Sequence, residues 1–315
     1  MARLISPDVE GRLDVRFIAP PDDLAEYFTM IYRLEVEVDE GEKVVDFIHP
    51  EWANLRFVSG ANHSMQIFDP ANPAAPTLDN VSFPVNGPTT RSIRFELGTN
   101  RLWGIGLRPL GWARFVGQPA SEWVNTIRDG RKEPAFAKFL PLADVLCDPA
   151  GKDERQWESL IRFFRGLSAK VSDSDRAEET RIRAIQAAKE NPYLANSDEF
   201  AEAAGMHKRT LERLCKKHFG FSPRTLIRRR RMNRSLADFM LSDGENWTRS
   251  IDRHYHDQPH FVREFRTFMG MSPTEYAELP HPITAAFMDE RRRVWGSPVR
   301  ADIAPLDGRP GGTDV

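Results

Sequence analysis

The sequence predicts an α+β protein of two domains: a mainly-β sandwich or barrel-like N-terminal domain with helices, then an all-α domain built from two helix-turn-helix units. Three observations carry this. Apolar residues alternate with polar ones in several short runs before residue 150. After residue 178 the period changes to that of amphipathic helices. One helical pattern near residue 210 then recurs near residue 260. A chain of 315 residues is long enough for two cores.

In the first 150 residues, Tyr32, Leu34, Val36 and Val38 alternate with Arg33, Glu35 and Glu37, and Ile93, Phe95 and Leu97 with Arg94 and Glu96. Further strands are expected at 44–48, 54–59, 64–68 and 102–107, with 68–80 a Pro- and Asn-rich loop. Short strands at this spacing favour an antiparallel sandwich or barrel. Residues 112–129 read as helical, broken near Gly117 to Pro119. Helices are expected at 153–167 and 178–189, with Ile182, Ile185 and Leu194 facing inward and a polar hinge at 170–175. The domain boundaries follow: a β-rich sensor or dimerisation domain at 1–150, a helical linker at 151–177, the helical domain at 178–280, and a partly disordered tail at 281–315 that includes a short helix ending near Trp295.

The helical domain is organised around 197–223. Phe200, Ala201, Ala204, Leu211 and Leu214 supply two packing faces, Gly205 takes the turn, and Asn196 or Ser197 caps the first helix. The second helix puts Leu211, Leu214, Cys215 and Phe219 on one face and Lys208, Arg209, Glu212, Arg213, Lys216 and Lys217 on the other. A small-residue contact, a glycine corner and a basic outer face describe a helix-turn-helix whose second helix fits a DNA major groove; an ordinary αα-hairpin shares the apolar spacing. The window 210–223 aligns with 260–273, matching Leu211 to Phe261, Arg213 to Arg263, Cys215 to Phe265, Phe219 to Met269 and Gly220 to Gly270. Each copy ends in Gly-x-Ser-Pro, a helix stop followed by a helix start.

On these residues the span 197–279 resembles the double helix-turn-helix DNA-binding domain of AraC/XylS-type transcription regulators. It departs from the family pattern at Arg249, Ser250 and His254, in the first helix of the second unit. Two N-terminal stretches, 49–60 and 86–123, resemble more loosely the sensor domain of one AraC-type subgroup. The resemblance implies double-stranded operator DNA as partner. It is compatible with an effector, a homodimer and RNA polymerase as further partners.

Charge supports the DNA reading. Between His207 and Arg234 stand eleven Lys/Arg against Glu212 alone, inside a chain of net charge −2. Four of these form the run Arg228–Arg231, of which some are expected on phosphate and some paired with acids. Recognition helices are expected at about 207–218 and 258–268. Arg209, Glu212 and Arg213 on the first, with Gln258, His260 and Arg263 on the second, are the base-edge candidates. Lys208, Lys216, Lys217, Arg224, Arg228 and Arg266 are the phosphate candidates. A basic helical face that binds DNA without sequence preference, or an acidic protein, is the alternative.

Catalysis is not expected. No GxSxG, P-loop, HExxH or GxGxxG stretch occurs, and only His49 and His63 precede residue 150, too few for a metal-binding barrel. The glycines of 104–111 are read as tight turns. The group His254, His256, Asp257 and His260 falls across the second recognition helix and is read as DNA-facing or capping rather than metal-binding. No cofactor and no metal are expected. Two cysteines, no signal-peptide core and no membrane-length apolar run point to the cytoplasm.

Overall fold

A computed structural model describes residues 3–6, 9–169, 173–191, 193–241, 250–252 and 255–296. Among these, the N-terminal half forms two antiparallel sheets. One runs in the order β1 (Arg3–Ser6), β2 (Val9–Ile18), β3 (Phe28–Val38), β10 (Asn100–Leu107), β5 (Asn54–Val58), β8 (Pro84–Asn86) and β11 (Ile127–Asp129). The other runs β4 (Val44–Ile48), β9 (Ile93–Leu97), β6 (His63–Ile67) and β7 (Leu78–Asp79). The alternation read in the sequence becomes the sandwich interior: Leu34 and Val36 of β3 join Phe95 and Leu97 of β9 in one buried cluster.

The sequence reading missed β2. Its Leu13, Val15 and Phe17 alternate like the other strands and pair with Val36, Leu34 and Tyr32. Residues 112–129 also differ from expectation. Trp112–Val116 is a wide helical turn ended by Gly117 at φ 78°, Ala120–Glu122 is a single tight turn, and β11 pairs with β8. The apolar residues there are buried by tertiary packing, so their spacing carried no helical period.

Helices follow as α1 (Leu140–Leu146), α2 (Asp153–Ser168), α3 (Asp173–Glu190), α4 (Ser197–Ala203), α5 (Lys208–Leu214), α6 (Pro223–Leu241), α7 (Gln258–Met269), α8 (Pro273–Glu278) and α9 (Pro282–Trp295). The largest core is continuous across the chain. Phe57, Trp103 and Phe115 of the β half pack in the same cluster as Phe164 of α2, Ile182 and Ile185 of α3, Phe200 of α4 and Leu211 of α5. A second core holds the later helices with Phe47 of β4. Each fully buried Leu or Phe here is worth about 1.5–3 kcal/mol of burial, so the first helix-turn-helix is fastened to the sandwich rather than tethered to it. α9 returns to the sandwich, where Ile283 and Ala286 enter its interior cluster.

Candidate nucleic-acid interface

The first unit forms as its residues dictate. Asn196 Oδ1 accepts hydrogen bonds from the N–H groups of Asp198 and Glu199, capping α4. Gly205 makes the corner at φ 63°, a left-handed conformation that glycine adopts without Cβ strain. α5 continues through a widened turn, Cys215–Phe219, and stops at Gly220 at φ 81°. Leu211, Leu214, Cys215 and Phe219 are all buried, and burial pushes the Cys215 thiol up to about 12. Arg209, Glu212, Arg213, Lys216, Lys217 and Arg224 are exposed. Lys208, also exposed, pairs with Asp198 at 2.7 Å, and Lys217 with Glu178 at 2.6 Å. Surface pairs of this kind contribute less than about 1 kcal/mol, so a phosphate can replace the carboxylate partner.

In the second unit Asp257 caps α7 by accepting the His260 N–H at 2.7 Å, and Gly270 ends it at φ 78°. Ser272 and Glu275 form a reciprocal capping box at the start of α8. Phe261, Phe265, Phe268 and Met269 are buried, while Gln258, Arg263 and Arg266 are exposed. Ser250 is buried; Arg249 and His254 lie outside the described residues. No group of three His, Cys, Asp or Glu among the described residues is placed to hold a metal ion.

Two of the candidates are engaged inside the protein. Glu264, buried in the middle of α7, accepts from Arg228 Nε at 2.9 Å and from the Tyr255 hydroxyl at 3.0 Å. His260 Nε2 lies 3.8 Å from the same carboxylate, and its ring packs edge-on against Tyr255. Arg228 thus joins α6 to α7 in this conformation, while His260 meets Glu264 within α7 itself, four residues away. Glu264 was not singled out in the sequence. Its signal was a carboxylate at the i+3 position of the apolar stripe Phe261, Phe265, Phe268.

Two of the four arginines in the α6 run also point inward. Arg229 and Arg230 are buried. Arg229 donates to the carbonyls of Glu51 and Thr89 at 3.2 and 2.9 Å, and its guanidinium lies 3.8 Å from the centre of the Trp52 ring. Arg230 donates to the Lys189 and Glu190 carbonyls at the end of α3. Arg231 stacks over Tyr255. Fixed donor forks on buried main-chain oxygens act here as braces between elements.

The β half grips the ends of both outward helices. A methyl group on Gly220 would meet Pro88 Cγ at 2.7 Å and Val124 Cγ2 at 2.9 Å. One on Gly270 would meet Phe68 Cδ1 at 2.7 Å. Ser92 donates its N–H to Phe268 O at 2.9 Å and its hydroxyl to Met269 O at 2.8 Å. The short segment 88–92 therefore touches the first corner, the brace Arg229 and the second corner in turn. Gly270→Ala is expected to cost more in urea unfolding than Gly205→Ala. Both suffer the left-handed penalty of about 1–2 kcal/mol, but space beside Gly205 is open. Equal losses would mean that the Gly270 corner gains nothing from its seat on Phe68.

Between the sandwich, α6 and α9 lies a cavity of about 230 Å³, lined mainly by apolar side chains such as Leu34, Phe95, Leu102 and Phe287. At its edge, His49 Nε2 lies 2.7 Å from the Tyr276 hydroxyl, and His281 lies 3.1 Å from the buried Asp46. Burial, with His281 nearby, holds His49 down at about 4, against 6.5 for the free side chain. Since folding depresses this pKa, the neutral imidazole's contribution is complete above pH 6.5 and is lost as pH falls toward 4. Stability measured by urea unfolding is therefore expected to drop between pH 7 and pH 5. His49→Gln is expected to flatten that drop; an unchanged slope would exclude His49 as its source.

Residues 200–278, a quarter of the chain, match the family model for a helix-turn-helix domain. Comparison with curated proteins gives no match. Among solved structures, ToxT from Vibrio cholerae is similar at 12% identity, covering 85% of this chain and 97% of that one with a TM-score of 0.37. ToxT bound to (E)-4-(8-methylnaphthalen-1-yl)but-3-enoic acid is similar at 11% identity, covering 84% and 98%, with a TM-score of 0.41. No described helix is long and apolar enough to cross a membrane. From the family match and the repeated unit together, residues 200–278 are an AraC-type helix-turn-helix domain, a DNA-binding module of transcription regulation.

Proposed function

We propose that the protein is a sequence-specific transcription regulator whose α5 and α7 read adjacent major-groove segments of one operator. The observation that carries this is the repeated unit itself: two helices of one design, each with its apolar face buried and an exposed face bearing Arg209, Glu212 and Arg213 or Gln258 and Arg263. Arginine bonds guanine O6 and N7 bidentately, and Glu212 accepts from cytosine N4. Lys208, Lys216, Lys217, Arg224 and Arg266 supply phosphate contacts that set position on the duplex. Arg228 and His260 reach DNA in this reading only after exchanging Glu264 for it.

Control is proposed to come through the β half. The cavity is walled partly by α6, the helix between the two reading helices, and an effector there would act directly on Arg229 and its neighbours. Selection of binding sites by the full-length protein from a pool of randomised duplexes tests the proposal. Recovery of one motif with two conserved segments is the expected result. Enrichment of DNA without any shared motif would favour the alternative, a basic face that binds without sequence preference.

A further inference from the structure

The cavity carries more than its apolar lining. Oδ1 of Asn54, Nδ1 of His63 and Oδ1 of Asn233 are buried and accept no hydrogen bond from the described protein, and all three residues line the cavity. Asn54 and His63 are themselves 2% and 3% exposed. In each residue the other polar atom is committed. Asn54 Nδ2 faces Glu51 Oε2 at 3.5 Å, Asn233 Nδ2 donates to Pro50 O at 3.0 Å, and His63 Nε2 lies 3.0 Å from Val81 O. A carboxylate or carbonyl neighbour fixes the N–H side, which leaves an acceptor in all three cases. Burial also pushes the His63 pKa down, consistent with a neutral ring whose Nδ1 accepts. A buried acceptor without a donor costs about 1–3 kcal/mol, and three in one cavity describe the complement of a ligand that donates.

Charge decides what kind of donor. Arg56, Lys189, Arg229, Arg230 and Arg291 line the cavity against the single carboxylate of Glu51. Such a lining repels an ammonium group, while a bare carboxylate or phosphate has no hydrogen to give the three acceptors. Neutral hydroxyls satisfy both conditions. At 230 Å³ the cavity exceeds the roughly 150 Å³ that holds a benzene, so one substituted ring is the fitting size.

We propose that this cavity binds a small, mainly apolar compound carrying at least two neutral hydroxyl groups, a phenol- or diol-like molecule. Its meaning as an effector rests on the DNA-binding reading above; the binding itself does not. The test is calorimetric titration of the full-length protein with butylresorcinol, its dimethyl ether and butylbenzoate, repeated on Asn54→Leu and Asn233→Leu. Butylresorcinol is expected to bind at least tenfold more tightly than either analogue. Asn233→Leu is expected to lose about tenfold for butylresorcinol and nothing for the ether. Circular dichroism checks the fold of each variant, and if Asn54→Leu does not fold, Asn233→Leu decides. Equal or tighter binding of the ether or the benzoate, no binding of any probe at millimolar concentration, or an unchanged preference in Asn233→Leu would overturn the proposal. Site selection on DNA is scored separately, so failure of the cavity proposal leaves the regulator reading standing, and the reverse.

Discussion

Alanine in place of Arg213 or Arg263 is expected to weaken binding to the selected site by on the order of 1–3 kcal/mol and to relax the base preference at one position. Both side chains are exposed at matching positions of the repeat, and neither helix depends on them for its packing. Lys217 supplies the contrast. It lies at the end of the first unit beside Glu178, whose carboxyl the Lys217 hydrogen bond holds below its usual range. Lys217→Ala is expected to weaken every sequence alike and to lower the salt slope by about one. A gel-shift titration across salt concentrations distinguishes the two patterns; operator affinity untouched by all three changes would rule out this docking.

The second large effect is expected from Glu264→Ala. The carboxylate is buried and holds Arg228 and Tyr255 together, and burial beside it raises the Tyr255 hydroxyl pKa far above its normal value. Its removal leaves a buried hydroxyl without its acceptor and takes away the Arg228 tie between α6 and α7. Breaking a fully buried pair costs about 3–5 kcal/mol; with Arg228 partly exposed, a loss of about 2–3 kcal/mol is expected in urea unfolding. Glu264→Gln should recover part of it, because the amide oxygen still accepts. Wild-type stability in Glu264→Ala would show that the cluster contributes nothing net.

The helix-turn-helix units were legible because local chemistry specifies them. Asn196 caps, Gly205 turns, and Gly220 and Gly270 stop their helices at the places the residues indicated. The strands at 44–48 and 93–97 were legible for the same reason, since period-two alternation is a local signal. What escaped was tertiary. The run Arg228–Arg231 is expected from sequence to divide between phosphate and acidic partners, yet two of its members are buried on main-chain carbonyls that lie 39 or more residues away in sequence. Arg228 pairs with Glu264 at a separation of 36 residues. The cavity could not be foreseen either, because Asn54, His63 and Asn233 come from β5, β6 and α6 and share no spacing. Along α6, however, Leu226, Arg229, Asn233, Ala237 and Met240 fall at helical intervals, so one face of that helix was marked for the cavity wall.

The paired-helix geometry is tested most directly by methylation interference at guanine N7 on the selected operator, with the full-length protein. Two clusters of interfering guanines, about one helical turn of 10–10.5 base pairs apart on the same face of the duplex, are the expected result, the first cluster lost in Arg213→Ala and the second in Arg263→Ala. A single cluster, or two clusters on opposite faces, would contradict the reading of one operator by both helices.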